Sequence, residues 1–248
     1  MSEFKFPSET VELPSRGLVY PESNPLSSGT VEMKYMTAKE EDILTNQNYI
    51  KDGTVLDRLL KSLILSKINY EDLIVGDKNA IMVAARILGY GKDYTFKYEG
   101  EEVTVDLTTL DSRYIDESNI IEKGVNKFKF KMPSSEIEVE FKLLTGKDDA
   151  EIKKEVKGLQ RINKHSNPEL STRLKHLILS VDGNEEKKSI REYVDNYCLA
   201  RDSRALREYV KSFQPDIDLL FNFESNDGIE KELSLPMTVT FFWPDATV

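Results

Sequence analysis

Apolar positions near the start of the chain alternate with polar ones, and a helical spacing takes over afterwards. Val31, Met33 and Tyr35 alternate with polar residues, which is the period of a half-buried strand. Turn-forming proline, serine and glycine residues cluster at 14–17 and 21–25, upstream of this strand. We therefore expect the N-terminal segment to form a long hairpin or an extended arm.

Three helical segments are predicted after this strand. Thr37 and Glu40 have the spacing of a capping box, which favours a short helix beginning there. Apolar residues within 55–64 form one stripe that needs a partner surface. Asp77 is placed to cap a third helix, and Gly89 is placed to end it. We expect these three helices to pack together.

Strand alternation returns in several short runs farther along the chain. Residues 94–107 and 219–239 each contain two alternating runs around a glycine-containing turn, which predicts a hairpin in each. Runs at 128–130 and 137–141 predict two more strands of a small antiparallel sheet. The highly charged stretch 146–164 has few apolar residues, so we expect a surface helix there.

The C-terminal half contains two further helix candidates and one open segment. Residues 189–197 and 203–213 have helical patterns, with Asp202 as the predicted N-cap of the second and Pro215 as its end. The apolar run within 170–181 fits either a strand or a helix, and the pattern does not choose between them.

A short internal similarity relates the two predicted hairpins. Residues 93–99 and 218–224 match in the placement of acidic, apolar and aromatic residues. We therefore predict an α+β fold in which helical segments combine with small antiparallel hairpins, in two similar helix-plus-hairpin units. The predicted division comprises an N-terminal arm or hairpin, a unit of helices plus the first hairpin, and a second unit with strands, helices and the C-terminal hairpin. These three parts span residues 1–36, 37–125 and 126–248.

Composition narrows the classes of function. The 248 residues carry 34 Lys and Arg against 44 Asp and Glu, so the net charge is −10. This balance disfavours general attraction to nucleic acid or anionic lipid. No apolar stretch approaches the ~20 residues of a membrane-spanning helix, and no secretory pattern stands at the N-terminus. We expect no membrane span and a protein that stays in the cytoplasm where it is made.

Residues that could carry chemistry are scarce. Neither phosphate-binding glycine pattern occurs, and no serine lies in a GxSxG turn. Cys198 is the one cysteine, and His165 and His176, the two histidines, lie in charged surroundings that suggest solvated surface residues. A hydrolase would need converging acid, base and nucleophile, which these spacings do not supply. The sequence therefore predicts no enzyme, no metal site and no cofactor.

One basic stripe stands out in the predicted helix 203–213 and the residues just before it. Arg201, Arg204, Arg207 and Lys211 follow one another at helical spacing and align along one face. Such a face is typical of a solvated surface or of a site for an acidic protein partner. The alternative is a regulatory protein that binds nucleic acid through this helix.

Five segments together resemble the baseplate protein family of T4-type contractile-tailed phages. They lie in order along nearly the whole chain, at residues 13–21, 32–44, 52–60, 200–207 and 241–244. The resemblance implies a non-enzymatic baseplate hub component or chaperone-like hub assembly factor, which acts through protein contacts during tail assembly. It leaves open whether the protein remains in the particle. Some relatives carry zinc-binding cysteines in the two hairpins, but this chain has none there, so the resemblance implies no metal here.

The resemblance and the residue patterns together identify candidate contact surfaces. Expected partners are other baseplate hub proteins and a second copy of the chain, with no nucleic acid, in the host cytoplasm during assembly and in the virion if the protein is retained. Three consecutive aromatic residues cannot all face one strand core, so at least one is expected to face a partner or fold over an edge. The candidate contact residues are Arg16, Tyr20, Arg201, Arg204, Arg207, Phe241, Phe242 and Trp243.

Overall fold

The structure is a computed structural model that describes residues 7–164, 166–224, 228 and 230–242. Eight α-helices and eleven short strands occur in these residues, which confirms the predicted α+β class. The helices are α1 (Ala38–Leu44), α2 (Gln47–Lys51), α3 (Val55–Leu63), α4 (Val75–Tyr90), α5 (Gly146–Ile162), α6 (Glu169–Leu177), α7 (Lys187–Asn196) and α8 (Ala200–Phe213).

All strands pair in small antiparallel sheets. The strands are β1 (Ser8–Glu12), β2 (Thr30–Lys34), β3 (Asp93–Tyr98), β4 (Glu101–Asp106), β5 (Ser112–Arg113), β6 (Phe128–Lys131), β7 (Glu138–Phe141), β8 (Ile178–Val181), β9 (Asp216–Ile217), β10 (Leu220–Glu224) and β11 (Glu230–Ser234). The pairs are β1 with β2, β3 with β4, β5 with β9 and β10 with β11, while β6, β7 and β8 form one three-stranded sheet in that order.

The structure decides one open segment and changes one local expectation. The open run at 170–181 contains both structures, since α6 ends at Leu177 and β8 begins at the next residue. Gly89 does not end α4, which continues to Tyr90 and is capped by Gly91. Gly89 instead allows close packing, because a Cβ atom there would lie 2.9 Å from the terminal methyl group of Met36.

Two aspartates expected to cap helices lie inside their first turns. Asp77 is the third residue of α4, and Asp202 is the third residue of α8. Neither carboxylate binds its own helix as an N-cap would. Asp77 accepts hydrogen bonds from the amide and hydroxyl of Ser15, and Asp202 accepts from the amides of Ser134 and Ser135. Both aspartates therefore tie a helix to a distant loop.

A single hydrophobic cluster runs through the described residues. It takes side chains from the β1–β2 connection, from the helices of both halves and from the segment after β11. Leu13 and Leu26 are fully buried, so the long β1–β2 connection packs into the core. The three-part division at residues 36 and 125 stays a prediction. None of the helices in the described part of the chain has the length and apolar character required to cross a membrane.

The chain contains an internal repeat that is much longer than the similarity between the hairpins. Residues 31–41 read VEMKYMTAKEE and residues 139–149 read VEFKLLTGKDD. Residues 60–66 read LKSLILS and residues 174–180 read LKHLILS. We refer to residues 8–113 as the first repeat and to residues 128–242 as the second repeat.

Equivalent residues of the two repeats make equivalent contacts. Capping boxes begin α1 and α5, from Thr37 with Glu40 and from Thr145 with Asp148. A lysine three residues before each threonine pairs with the box carboxylate, Lys34 with Glu40 at 2.8 Å and Lys142 with Asp148 at 2.6 Å. Ile64, directly after α3, forms an antiparallel β-bridge with Met33. Ile178, directly after α6, is the strand partner of Phe141.

The two repeats contact each other through their hairpins and through the segments that follow them. Phe96 of β3 meets Phe221 of β10 edge to face, with ring centroids 6.1 Å apart. The segment after β4 crosses to the second repeat, where β5 pairs with β9. The segment after β11 crosses to the first repeat, where the carbonyl of Phe241 accepts a hydrogen bond from Arg86 of α4 at 3.0 Å. The repeats are thus joined by exchanged segments.

Candidate protein-interaction groove

A groove of about 320 Å³ opens between α6 and the C-terminal half of α8. The N-terminus of α4 and strands β5 and β9 complete its walls. Its lining residues are Val75, Arg113, Leu144, Leu170, Arg173, Leu174, Leu177, Arg207, Val210, Lys211, Gln214 and Asp216. The groove therefore lies where an element of the first repeat meets the helices of the second.

The floor of the groove is apolar. Leu174 and Leu177 are buried members of the core, while Leu144 and Val210 are half-buried beside them. Leu170, in the first turn of α6, is 49% exposed. Leu170 therefore extends the apolar surface of the floor to the solvent-exposed edge of the groove.

The rim of the groove is strongly cationic. Four basic side chains, Arg113, Arg173, Arg207 and Lys211, surround the floor, and Asp216 is the one acidic residue of the lining. Burial raises the pKa of Asp216, and its carboxylate accepts a hydrogen bond from Asn79 at 2.9 Å. The rim therefore presents positive charge on a protein whose net charge is −10.

Three rim side chains already have contacts within the chain. Arg113 donates to the carbonyl of Gln214 at 3.0 Å, and Arg207 donates to the carbonyl of Ser203 at 3.2 Å. Arg173 pairs with the carboxylates of two neighbouring acidic residues of α5 and α6. Backbone carbonyls do not neutralise charge, so Arg207 remains available to an acidic partner, whereas the charge of Arg113 also favours the ionised form of the neighbouring Asp216. Among the described residues, Lys211 has no ion pair or hydrogen bond.

The predicted basic stripe is divided by the structure. Arg201, Arg204 and Arg207 are all exposed on α8. Arg204 pairs with Glu208 at 2.7 Å, one turn along the same helix. Arg207 and Lys211 line the groove, whereas Arg201 and Arg204 do not. Part of the stripe is therefore the rim of an apolar groove.

The two N-terminal candidate residues have different environments. Arg16 is exposed and its guanidinium lies 4.1 Å from the ring centre of Tyr114. Tyr20 is buried, and its hydroxyl donates to Asp77 at 2.6 Å while accepting from the amide of Ile74. The expectation that Tyr20 forms part of a contact surface is corrected, because its side chain holds a core network together.

The aromatic segment near the C-terminus is also corrected in part. Phe241 and Phe242 are both 0% exposed, and the ring of Phe241 packs edge-on against Tyr94 with centroids 4.9 Å apart. These two side chains fill the core of the first repeat and do not offer a docking surface. Trp243 lies outside the residues that the structure describes.

The residues considered for chemistry form structural contacts. His176 is half-buried, not a free surface residue, and one of its ring nitrogens lies 3.1 Å from Glu155. Hydrogen bonds from Arg191 are the largest cause that lowers the pKa of Glu155 to about 2. Cys198 is half-buried, and burial raises the pKa of its thiol. His165 is outside the described residues, within which no metal-holding group of His, Cys, Asp and Glu side chains occurs.

A second cavity, of about 930 Å³, lies between α3 and α5. It is also rich in cations, including Arg58, Lys153 and Lys157, but four acidic residues line it as well. Its wall has no apolar floor like that of the groove. The groove between α6 and α8 is therefore the better candidate for a specific protein contact.

Comparison with known proteins adds no relatives. The chain matches no family model, no curated protein and no solved structure. The groove was missed at the level of sequence because its two leucine-bearing turns fall in the run whose secondary structure was open. The repeated LKxLILS segment would have indicated the helical part of that run, since its first occurrence begins on the predicted helical stripe.

Proposed function

We propose that this protein is a non-enzymatic component or assembly factor of a phage baseplate hub, and that the groove between α6 and α8 holds a segment of another hub protein. The observation that carries the docking role is the groove itself, a leucine floor with one exposed leucine, Leu170, bordered by a cationic rim. Protein interfaces commonly combine an apolar centre with a polar rim that sets orientation. The baseplate assignment comes from the resemblance of the five sequence segments.

The fold supports a docking role in a second way. Tyr20, Asp77 and Asp202 are buried in hydrogen-bond networks that join loops to helices, which makes the helices a rigid support for the groove. A preformed surface loses less conformational freedom on binding than a flexible one, which favours affinity. The proposed sites of action are the host cytoplasm during assembly and, if the protein is retained, the finished tail.

The test is affinity capture of the tagged protein from infected cells, with mass spectrometry of soluble assembly intermediates and of purified particles. Hub proteins in both fractions would identify a structural subunit, and hub proteins in the intermediates alone would identify an assembly factor. Capture should fall sharply for a variant that combines Leu170→Ser with Lys211→Glu. A variant that combines Leu199→Ser with Lys188→Glu is the control, because those residues are exposed but do not line the groove.

Two results would overturn this proposal in separable ways. Absence of hub proteins from both fractions would contradict the baseplate assignment. Equal capture of hub proteins by the groove variant and the control variant would contradict the docking role of the groove. Recovery of nucleic acid in place of protein would favour the regulatory alternative.

A further inference from the structure

We infer that the segment held in the groove presents an aromatic side chain with carboxylates beside it. This inference rests on the proposed docking role of the groove and specifies the chemistry of the partner. Its basis is the internal repeat, because the first repeat shows which segment lies beside the equivalent part of its own helix.

The two equivalent helix surfaces differ in what covers them. Counting from Asp77 and Asp202, the α4 residues Met82 and Ala85 correspond to Arg207 and Val210 of α8. Met82 and Ala85 are buried in the core, whereas Arg207 is exposed and Val210 is half-buried. The surface that is closed on α4 is therefore open on α8.

The exchanged segments also differ in the apolar surface that they supply. The segment that crosses to the first repeat carries Phe241 and Phe242, both fully buried, and binds Arg86 of α4 through a backbone carbonyl. The segment that crosses to the second repeat pairs with β9 through Ser112 and Arg113, and its buried apolar residue, Ile115, hydrogen-bonds through its amide to Pro14 of the first repeat. A serine and an arginine supply little apolar surface, so the leucine floor of the second repeat stays uncovered. An aromatic side chain from a partner would complete it as phenylalanine completes the first repeat.

Charge determines what should flank the aromatic side chain. Lys211 corresponds to Arg86 by the same count, but it has no hydrogen bond or ion pair among the described residues, while Arg86 is engaged by the carbonyl of Phe241. With Arg207, it gives the rim two cations without a carboxylate partner, and Arg113 adds a third positive charge that Asp216 offsets in part. Carboxylates beside the aromatic residue would pair with these groups, and a basic segment would be repelled.

The experiment measures binding of labelled peptides to the full chain by fluorescence polarisation. The probe is a peptide of sequence Asp-Glu-Phe-Phe-Glu-Asp, and the comparison peptides are Asp-Glu-Ala-Ala-Glu-Asp and Lys-Lys-Phe-Phe-Lys-Lys. We expect the probe to bind at least about tenfold more tightly than either comparison peptide, because it alone supplies both the apolar and the charged contacts.

Matched variants connect this binding to the groove. Leu170→Ser and Lys211→Glu should each weaken binding of the probe by about tenfold, as expected when a central apolar contact or a charge partner is removed. Leu199→Ser and Lys188→Glu are the controls, since Leu199 is 50% exposed, close to the 49% of Leu170, and neither control residue lines the groove. Circular dichroism of each variant verifies that it is folded.

The possible results separate this inference from the proposed function. Equal binding of the phenylalanine and alanine peptides, or loss of probe binding in the control variants, would overturn the inference. If the probe fails to bind while capture of hub proteins still depends on the groove, the docking role stands and the partner chemistry is wrong. If the probe binds through the groove but no hub protein is captured, the partner chemistry stands and the baseplate assignment is wrong.

Discussion

The two repeats place an aspartate at the same position of a helix, but the pKa of this aspartate is raised in one repeat and lowered in the other. Burial raises the pKa of Asp77, and its three hydrogen bonds from Ser15 and Tyr20 do not reverse that effect. Burial acts in the same direction on Asp202, but hydrogen bonds from Ser135 and Ser134 outweigh it and lower the pKa. Two aspartates at the same place in the fold can therefore have pKa values shifted in opposite directions.

The source of this difference is the depth of the loop that each aspartate holds. The loop that contains Ser15 is part of a long connection packed into the core, and Ser15 itself is fully buried. Ser134 and Ser135 belong to a short connection between β6 and β7 on the surface, where both serines are exposed or half-buried. Asp77 therefore supports core structure, and Asp202 fixes a surface turn to the groove-bearing helix.

Removing either carboxylate should lower the free energy of unfolding, and the loss at Asp77 should be the largest of the expected effects. Asp77→Ala leaves two hydroxyls and an amide without their acceptor in the core, so we expect the free energy of unfolding to fall by about 4 kcal/mol. Asp202→Ala affects two amides near solvent and should cost about 2 kcal/mol. Urea unfolding measures both, with exposed Asp42→Ala as the control; equal losses would contradict the assigned roles.

Alanine substitutions of the residues just before these aspartates should have the next largest effect, and the loss of stability should again differ between the repeats. A Cβ atom on Gly76 would lie 1.7 Å from the carbonyl oxygen of Pro215, so Gly76→Ala must displace backbone and should cost about 3 kcal/mol. The equivalent residue of the second repeat is Arg201, which is exposed, and Arg201→Ala should change stability by less than about 0.5 kcal/mol. Thermal unfolding measures the stability of both variants. If Gly76→Ala left the stability unchanged, the close packing of α4 against Pro215 would be contradicted.

The capping boxes should behave alike in the two repeats. Glu40 and Asp148 each accept from the amide and hydroxyl of a threonine and pair with a lysine. Glu40→Ala and Asp148→Ala should therefore each lower the free energy of unfolding by about 2 kcal/mol. Denaturant titrations on both variants check this, and a loss confined to one of them would show that the structural equivalence does not extend to energy.

The smallest expected effect is the dependence of stability on acid. Burial opposes ionisation of Glu40 and Asp148, but their lysine and threonine partners lower both pKa values, and the pKa of Asp202 is lowered as well. A lowered folded-state pKa gives stability that is present above the ordinary value and is lost as pH falls through the folded-state value. The free energy of unfolding should therefore decline as pH is lowered below about 4.

Asp77 provides the internal control for this pH dependence. Its pKa is raised in the folded state, so its own contribution to stability is present at low pH and is lost as pH rises through the raised value. Asp77→Asn should therefore remove a gain in stability that occurs as pH falls from the raised value towards about 4, whereas Asp202→Asn should make the decline below about 4 shallower. Denaturant unfolding at several pH values tests this, and a parallel change in the two variants would contradict the opposite pKa shifts.

Much of the secondary structure could be predicted because it depends on near neighbours. The capping box at Thr37, the stripe that became α3 and the hairpin of β3 and β4 all follow from residues within a few positions of one another. Asp77 and Asp202 were assigned to the wrong role for the complementary reason. An aspartate before an apolar helix fits the N-cap pattern, and nothing local shows that a serine from another loop binds it.

The groove could be predicted only in part. Arg207 and Lys211 were recognised as exposed cations from their helical spacing, and both lie on its rim. The aromatic segment was recognised as unusual, but its two described phenylalanines proved to be core residues. Their position depends on a segment that crosses from one repeat to the other, and no pattern within the segment encodes that crossing.

The sequence by itself determined most of the helices, the hairpins, the capping box at Thr37 and the repetition of whole segments, because each depends on spacing along the chain. Tertiary structure alone decided which loop each buried aspartate holds, which repeat each crossing segment completes and where an apolar surface stays open. Those outcomes join residues far apart in sequence, such as Ser15 with Asp77 and Arg86 with Phe241. They are fixed by which buried polar and apolar groups find partners once the two repeats pack together.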